Sequence, residues 1–364
     1  MSAKENLEAI PGAAAPPTKK NKVEPTAQRL ILKTDKGFAK EATSPPDTDW
    51  VNEKRWLGAL RLAKHVVYLV VPAGDPFAAI FEAAPSWRRD REDWLFLEFG
   101  ENGTLLDFCI RCSGQKMKTL PNRMLWRLLM CLVRMCIAMA WPPPIPAGTT
   151  NPQHILEVAG APPPGLLVHN DVHSGNVMFG SLVPGEVEHD LTPVVKLIDF
   201  GNSQEHIDSI EELPGVKQNL FDVIGRTMLD FITLDISVSL AIEPGVVSRY
   251  SPPPVKFQVP GGPELTTYGN NLTPDDASKP DPYPSLDADL RSIVLRCLAE
   301  DGNDRPTDLA ALATETINAV TQRDVAFYGN AVEREMIISG TYSSVICSTR
   351  GLHSLIHGPQ RRLQ

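Results

Sequence analysis

The sequence predicts an α+β fold, with short strands in the first part of the chain and long helices in the rest. Runs of large apolar and β-branched residues at 29–33, 65–70 and 94–99 are typical of strands. The stretch 122–140 is almost entirely apolar and long enough for a core helix. Later helices are expected at 217–240, 287–299 and 306–320.

The predicted helix at 122–140 has Asn122 as its expected N-cap. Its charged residues are three arginines, Arg123, Arg127 and Arg134, which fall on one side of a helix with 3.6 residues per turn. We therefore expect these arginines to form one stripe that faces water, while every other side of the helix is buried.

The composition indicates a globular protein with an ordinary core. The chain has 364 residues, a formal net charge of −9 and 42% hydrophobic residues. An acidic balance argues against a nucleic-acid partner, which requires a surplus of lysine and arginine on one face. The sequence has no signal peptide and no apolar run of the length of a membrane span, so we expect an intracellular protein, cytoplasmic or nuclear, with no membrane partner.

The cysteines predict buried thiols in a reducing compartment. Six cysteines in a chain of this length are too few for a disulfide framework. Cys109 and Cys112 have a spacing that metal sites also use, and Cys131 and Cys136 follow on the predicted core helix. All four lie among apolar residues, which favours structural thiols over metal ligands.

Proline marks the segments that lie outside the regular elements. The chain has 33 prolines, well above the average of about 5%. Residues 1–28 are rich in proline, alanine and lysine, which predicts a disordered tail. Two further proline-rich stretches, 142–165 and 244–284, are interpreted as insertions in the second part of a domain that ends near residue 322. Residues 323–364 then form a C-terminal extension.

A helix with a buried acid is predicted near residue 50. Thr48 or Asp49 can cap it, and the residues on its apolar face are Trp50, Glu53, Leu57 and Leu60. A carboxylate on an apolar face lies at the edge of that face or meets a buried cation, because a buried charge must be paired. Both interpretations of Glu53 remain open from the residues alone.

Three oxygen-bearing side chains follow short strands further along the chain. Asp171 and Asn176 lie in a polar loop after the strand at 166–168, and Asp199 directly follows the strand at 194–198. The second of these strands is expected to pair with residues 177–179 as a hairpin. Oxygen ligands on strand ends suit magnesium, with phosphate oxygens completing its coordination. The residues therefore predict a site for magnesium and a phosphate-bearing ligand.

The same residues resemble the motifs of the eukaryotic protein kinase family. HNDVHSGN at 169–176 is similar to that family's catalytic loop, and LIDFG at 197–201 is similar to its metal-binding loop. The resemblance implies ATP and magnesium as cofactors, Asp171 as the base, and Asn176 and Asp199 as metal ligands. It also places His169 and His173 in the catalytic loop, with His173 near the γ-phosphate.

Further residues extend the resemblance over about 30–320 and imply a bilobal kinase-like fold. The N-lobe would span 29–100, small and β-rich, and the mainly helical C-lobe would span 101–322. Glu53 would be the ion-pairing acid of the family's C-helix, with Lys33 or Lys40 as its partner at the ATP phosphates. The expected hinge residues are Leu97 as gatekeeper, and Glu98 and Gly100, whose backbone would face the adenine.

The late part of the chain also resembles the family. Residues 298–307 look like its late arginine-containing segment, with Arg305 paired to Glu211 or Glu212. Asp222 would open the central helix and brace the catalytic loop. The proline-rich loops, the AMAWPP ending of the core helix and His173 are similar to a divergent group of fungal protein-kinase-like proteins.

The sequence departs from the family pattern in ways that keep three functions open. No glycine-rich phosphate loop precedes the strand at 29–33. Either the expected N-lobe is degraded, which favours a pseudokinase that scaffolds partners, or its first strands are missing from this sequence. His173 stands where protein kinases carry lysine, and Asn170 replaces an arginine. A histidine there is typical of small-molecule kinases of the aminoglycoside and choline type. The leading expectation is a kinase that phosphorylates a serine or threonine hydroxyl of a protein substrate.

Overall fold

The computed structural model of the chain describes residues 30–34, 48–71, 94–149, 153–206, 211–242, 253–274 and 278–329, and for 30–34 the backbone alone. These residues form α-helices together with small antiparallel sheets, which agrees with the predicted α+β class. Lys40, the tail at 1–28 and most of the C-terminal extension lie outside the described residues.

A three-stranded antiparallel sheet comes first. Its strands are β1 (Leu30–Thr34), β2 (Leu69–Val70) and β3 (Trp94–Glu98), and β3 lies in the middle. The register places Lys33 opposite Leu95 and Leu69 opposite Leu97. The strands predicted at 29–33 and 94–99 are therefore confirmed.

The strand expected at 65–70 is shorter than predicted, because its first residues pair elsewhere. The carbonyl of His65 accepts from Leu197 N at 2.9 Å, and Val67 N donates to Leu197 O at 3.0 Å. The N–H of His65 donates to the Glu157 carboxylate at 2.7 Å. Residues 65–67 thus pair with the segment around Leu197 and not with β3. Only the two residues of β2 pair with β3.

Helix α1 (Thr48–Leu60) lies between β1 and β2 in the chain and matches the predicted helix. The residues expected on its apolar face, Trp50, Glu53, Leu57 and Leu60, are all buried. Glu53 is only 2% exposed, so this carboxylate lies inside the protein and not at the edge of the helix face.

Helix α2 (Leu105–Gly114) was not predicted, although its start is encoded locally. Thr104 accepts from Asp107 N at 3.2 Å, and Asp107 Oδ2 accepts from Thr104 N at 2.9 Å. These reciprocal bonds form a capping box, which satisfies two N–H groups at the helix start. The helix buries Leu105 and Phe108 together with two of the cysteines, Cys109 and Cys112.

Helix α3 (Asn122–Ala140) is the centre of the core, with every residue from Met124 to Ala140 buried. The predicted cap is wrong, because Asn122 lies inside the helix and Pro121 occupies the N-cap position. The predicted water-facing stripe is wrong as well. Arg127 and Arg134 are only 4% and 9% exposed.

Carboxylates from a later loop make the burial of these arginines possible. Arg127 Nε donates to Asp190 at 3.0 Å, and Arg134 donates to Glu188 at 2.6 Å. A buried guanidinium must be paired, and the partners lie more than fifty residues away in the sequence, so helical periodicity cannot reveal them.

Two short two-stranded sheets follow α3 and frame the polar loops. Strands β4 (Leu167–Val168) and β7 (Gln204–Glu205) pair antiparallel, and so do β5 (Val177–Phe179) and β6 (Val195–Leu197). Val177 lies opposite Leu197. The predicted hairpin of these two strands is thus confirmed.

The single helix predicted at 217–240 is broken into shorter elements. These are α4 (Pro214–Asn219), a π-helical segment (Leu220–Arg226), α5 (Thr227–Thr233) and α6 (Ile236–Leu240). Leu234 has φ of 54°, a left-handed conformation that ends α5, and Asp235 caps α6 by accepting from Ser237 N. Asp222 lies in the π-helical segment and does not open a helix, contrary to the prediction.

The second proline-rich stretch contains a hairpin, which was not predicted. Strands β8 (Val255–Gln258) and β9 (Glu264–Thr267) pair antiparallel. The Thr267 hydroxyl donates to Leu295 O at 2.8 Å, and this bond fixes the hairpin on the following helix. The insertion is therefore packed against the core along part of its length.

The helices predicted at 287–299 and 306–320 are confirmed as helices, and each begins directly after a capping aspartate. Helices α7 (Ala288–Cys297) and α8 (Leu309–Gln322) are capped by Asp287 and Asp308. The short helix α9 (Val325–Tyr328) lies in the C-terminal extension, where the Tyr328 hydroxyl donates to Asp287 at 2.7 Å. Among the residues that the structure describes, no helix has both the length and the apolar character to cross a membrane.

Candidate active site

The loop between β4 and β5 carries the first part of the candidate site. His169 directly follows β4 and is fully buried. Its Nε2 donates to Ile198 O at 2.9 Å, and its Nδ1 accepts from Asp171 N at 3.3 Å. Burial lowers the pKa of His169 to about 4, against the opposing effect of the bond to Ile198. This neutral imidazole positions the Asp171 loop against the Asp199 loop.

Asp171 presents a partly exposed carboxylate, with a side chain that is 38% exposed. Its Oδ2 accepts from Asn202 Nδ2 at 3.3 Å and lies 3.4 Å from Asn176 Nδ2. Its Oδ1 lies 3.9 Å from Nε2 of His173. Two amide donors thus orient one oxygen, and the other oxygen is on the side of His173.

Asn176 is held by the same loop. Its Nδ2 donates to Asp171 O at 2.9 Å, and its backbone N–H donates to His173 O at 2.8 Å. These bonds fix the orientation of the Asn176 amide group within the loop.

Asp199 is brought beside Asn176 by the hairpin of β5 and β6. Ile198 N donates to Asn176 O at 3.0 Å, so the pairing continues past the end of β6. Asp199 has φ of 64°, a conformation that is uncommon in residues other than glycine. The carboxylates of Asp171 and Asp199 both raise the pKa of His169, so the two acids lie in one neighbourhood.

The donor set fits a hard divalent cation. Asn176 contributes an amide oxygen and Asp199 a carboxylate, and these are the ligand types that magnesium accepts beside phosphate oxygens. Uncommon backbone conformations cluster at functional sites, where the surrounding structure must hold them. Phe200 provides such support, since it is fully buried and its ring centre lies 4.7 Å from that of His169.

His173 lies at the exposed edge of the site. Its side chain is 44% exposed, and its Nδ1 accepts from Gly175 N at 3.0 Å. This bond leaves Nε2 on the side of Asp171. His173 thus lies beside the Asp171 carboxylate at the edge of the candidate site.

Helix α1 contacts the segment that follows Asp199. Asn52 Nδ2 donates to Gly201 O at 3.3 Å, and the indole of Trp56 donates to Ser203 O at 3.3 Å. Glu53 lies between these residues on the buried face. Of Lys33 the structure describes the backbone alone, and Lys40 lies outside the described residues, so the choice between them stays a prediction.

The expected hinge residues form the end of β3. Leu97 is 6% exposed, and Glu98 N donates to Tyr68 O at 3.0 Å. The Glu98 carboxylate accepts from Tyr68 N at 2.7 Å and from Lys196 Nζ at 2.6 Å. Glu98 therefore joins β3 to β6 through a largely buried ion pair.

Gly100 is required by a close approach. A Cβ atom at this position would lie 2.1 Å from Sδ of Met178, whose side chain is buried. The chain thus passes directly over β5 at the predicted hinge, and a side chain at position 100 would have to displace that of Met178.

The support of the loop at 169–176 differs from the prediction. Asp222 accepts from Gln218 at the end of α4 and from Arg226 in its own π-helical segment. Asn219 instead reaches the strand that leads into the loop, since its Nδ2 donates to Leu167 O at 2.7 Å. Arg305 donates to the carbonyls of Ala299 and Lys217 and not to Glu211 or Glu212.

Three residues that contribute to the site were missed from the sequence. Asn202 orients the Asp171 carboxylate, Lys196 pairs with Glu98, and Asn219 holds β4. Asn202 follows the DFG residues directly, so its position in the chain was a usable signal. Lys196 and Asn219 act on segments far away in sequence, and no local pattern marks them.

The predicted burial of the cysteine thiols is confirmed for the cysteines that the structure describes. Cys109, Cys112, Cys131, Cys136 and Cys297 are all buried and form no disulfide. Burial raises the pKa of the Cys109 thiol far above its usual value and that of Cys112 to about 12. These two thiols therefore stay protonated and serve as apolar packing groups of α2.

No protein-family model matches the chain, and no curated protein matches it.

Proposed function

We propose that the chain is a bilobal, protein-kinase-like phosphotransferase that transfers the γ-phosphate of ATP, with magnesium, to a serine or threonine hydroxyl of a protein. The proposal rests chiefly on one observation. The bonds from Ile198 N to Asn176 O and from His169 Nε2 to Ile198 O bring Asp199 beside Asp171 and Asn176. These three oxygen donors have the residue types and the order that phosphoryl transfer requires.

Asp171 is the proposed base of the reaction. Its carboxylate accepts the proton of the attacking hydroxyl, whose oxygen forms a bond to the γ-phosphorus. The bond from this phosphorus to the bridging oxygen breaks, and ADP leaves. Asn202 and Asn176 orient the carboxylate through their amide groups, so the protein contributes mainly positioning.

Asn176 and Asp199 are the proposed ligands of magnesium. The metal, when bound, would offset negative charge on the phosphate oxygens. Glu53, buried on α1, would orient Lys33 or Lys40 toward the phosphates. The end of β3, with Leu97, Glu98 and Gly100, would lie against the adenine. The segment from Glu98 to Gly100 would then connect an N-lobe to a C-lobe.

Transfer from radiolabelled ATP tests the proposal. We expect purified protein to label itself or casein in the presence of magnesium, and Asp171→Asn to lower the rate by at least a hundredfold. Asp304→Asn is the matched control, because Asp304 is an exposed acid outside the site. Equal rates in the wild type and Asp171→Asn would overturn the assignment of the base.

A small-molecule kinase is the second candidate, and the residue type at position 173 favours it. A histidine there resembles small-molecule kinases of the aminoglycoside and choline type, and its side chain is 44% exposed beside Asp171. A screen for ADP release with choline and aminoglycosides distinguishes the two candidates. Turnover that depends on one of these compounds and on Asp171, without labelling of protein, would support the second candidate.

A pseudokinase, which keeps the fold without catalysis, is the third candidate. A thermal-shift titration with ATP and magnesium separates it from both enzymes. A ligand that binds only the folded state raises the melting temperature, so an enzyme must show such a shift. No shift, together with no phosphate transfer, would support a scaffold.

A further inference from the structure

A buried cluster of metal-binding residues lies apart from the candidate active site. It consists of His65, Cys131 and His189, and each offers one ligand atom within 4.8 Å of the other two. Cys131 Sγ is 3.9 Å from His189 Nδ1, and the ring centres of the two histidines are 5.2 Å apart. His65, Cys131 and His189 are fully buried.

We propose that His65, Cys131 and His189 bind a zinc ion in the core of the protein. Zinc accepts imidazole nitrogen and thiolate sulfur together, at about 2.0–2.3 Å, and where a protein supplies three ligands a water molecule completes its tetrahedral coordination. Such bond lengths place two ligand atoms about 3.3–3.8 Å apart. The cluster needs to contract by about 1 Å, which side-chain rotation can supply.

Glu157 supports this assignment from outside the ligand set. Its Oε2 lies 2.7 Å from His65 Nδ1, and its Oε1 accepts from His65 N at 2.7 Å. A histidine that binds zinc commonly donates its other ring N–H to a carboxylate, which fixes the orientation of the ring. His65 would therefore bind zinc through Nε2.

Two ring nitrogens in the cluster have no hydrogen-bond partner. Nε2 of His65 and Nε2 of His189 are both buried, and no donor or acceptor of the described residues reaches either atom. A buried polar atom without a partner is costly, and each such atom in a native structure requires an explanation. A zinc ion bound to His65 Nε2 accounts for one of these atoms directly.

The charges around the cluster are compatible with a bound divalent cation. The Cys131 thiolate and Glu157 together carry two negative charges, and the thiol proton is released to solvent when zinc binds. The nearby cations already have partners, since Arg134 pairs with Glu188 at 2.6 Å and Lys196 with Glu98 at 2.6 Å. Lys64 likewise pairs with Glu186. Zinc would thus balance the charge of the cluster.

The cluster joins four separate segments of the chain. His65 precedes β2, Cys131 lies on α3, and His189 lies in the loop between β5 and β6. Glu157 belongs to the first proline-rich stretch, 142–165. Zinc at this position would fasten that stretch and the loop to the core helix, and its enclosure indicates a role in stability.

Metal analysis of the full chain, purified without a histidine tag, tests the proposal. We expect about one zinc per chain, and loss of that zinc in Cys131→Ser and His189→Gln. Cys136→Ser is the matched control, because Cys136 is buried on the same helix and its thiol contacts Asn219 O instead. The control should keep its zinc.

A second measurement on the wild type covers the case in which the variants do not fold. Removal of zinc by a chelator should lower the melting temperature by about 5 °C or more, and zinc alone should restore it. Cobalt in place of zinc should give the absorption of a cobalt–thiolate bond. The proposal would be overturned if the wild-type protein contained no zinc and added zinc did not stabilise it. It would also be overturned if the protein contained copper in place of zinc, or if Cys131→Ser retained its zinc.

Discussion

Arg134 donates to both carboxylate oxygens of Glu188, at 3.2 and 2.6 Å, inside the protein core. The two side chains are only 11% and 10% exposed. Arg134 also donates to Glu157 O, so one guanidinium connects the central helix with the first proline-rich stretch and with the loop between β5 and β6. This bidentate pair explains why a charged residue lies in the middle of an apolar helix.

Removal of one partner of this pair should destabilise the protein strongly. Glu188→Gln leaves a buried guanidinium without its counter-charge, and we expect a loss of about 3–5 kcal/mol in the free energy of unfolding, measured in urea. Glu205→Gln, which breaks the exposed pair with Arg55, should cost about 0.5 kcal/mol or less. Similar losses in the two variants would contradict this prediction.

Asp230 should make the protein less stable as the pH rises. It is 2% exposed, and burial raises its pKa to about 7. In the unfolded state the pKa of an aspartate is near 4. Because the pKa of Asp230 is higher in the folded state, the free energy of unfolding falls as the pH rises from about 4 to about 7. Asp230→Asn removes this titration. The variant should therefore be more stable than the wild type, and this difference in the free energy of unfolding, measured in urea, should be larger at pH 8 than at pH 5 by roughly 2 kcal/mol.

The exposed acid Asp304 provides the control for this pH dependence. Asp304→Asn should change the free energy of unfolding by about 0.5 kcal/mol or less, as is usual for a substitution on the protein surface. A stability gain of Asp230→Asn that does not depend on pH would show that Asp230 is ionised normally in the folded protein.

Two glycines should respond to alanine in opposite directions. A Cβ at Gly215 would lie 2.8 Å from the carbonyl oxygen of Leu166, which is backbone and cannot move freely. Gly215→Ala should cost about 1–3 kcal/mol. Gly58 lies in α1 with no atom within 4 Å of such a Cβ, so Gly58→Ala should stabilise by about 0.5–1 kcal/mol. Thermal unfolding measures both, and stabilisation by Gly215→Ala would contradict the close contact.

Asn202 should affect the proposed transfer reaction more than nucleotide binding. It donates to Asp171 Oδ2 at 3.3 Å, and a hydrogen bond to a charged group contributes about 1.5 kcal/mol. Asn202→Ala should therefore lower kcat roughly tenfold and leave the KM for ATP nearly unchanged, in a steady-state assay of ADP release. An altered KM with an unchanged kcat would place Asn202 at the nucleotide instead.

Local patterns predicted the elements whose information lies within a few residues. The buried face of α1 follows from apolar spacing, and the hairpin of β5 and β6 follows from two short apolar runs with polar residues between them. The capping box of α2 was also readable, since Thr104 and Asp107 are three residues apart, although it was overlooked.

Two of the failed predictions depended on partners that are distant in the sequence, and a third depended on a backbone conformation. The stripe of arginines was expected to face water, because periodicity cannot show that Glu188 and Asp190 return to α3. The strand at 65–70 was shortened by the bond between His65 and Glu157, which joins residues 92 positions apart. The break at Leu234 is a backbone conformation that leucine seldom adopts.

By itself, the sequence determined the α+β class, most of the helices and the candidate residues Asp171, Asn176 and Asp199, because residue type and short-range spacing encode these features. Only the tertiary structure decided which side chains meet. It turned Arg134 inward, gave Glu98 a lysine partner and brought Cys131 between two histidines. Such contacts form when segments far apart in the chain fold onto one core, where a buried polar group must find a partner.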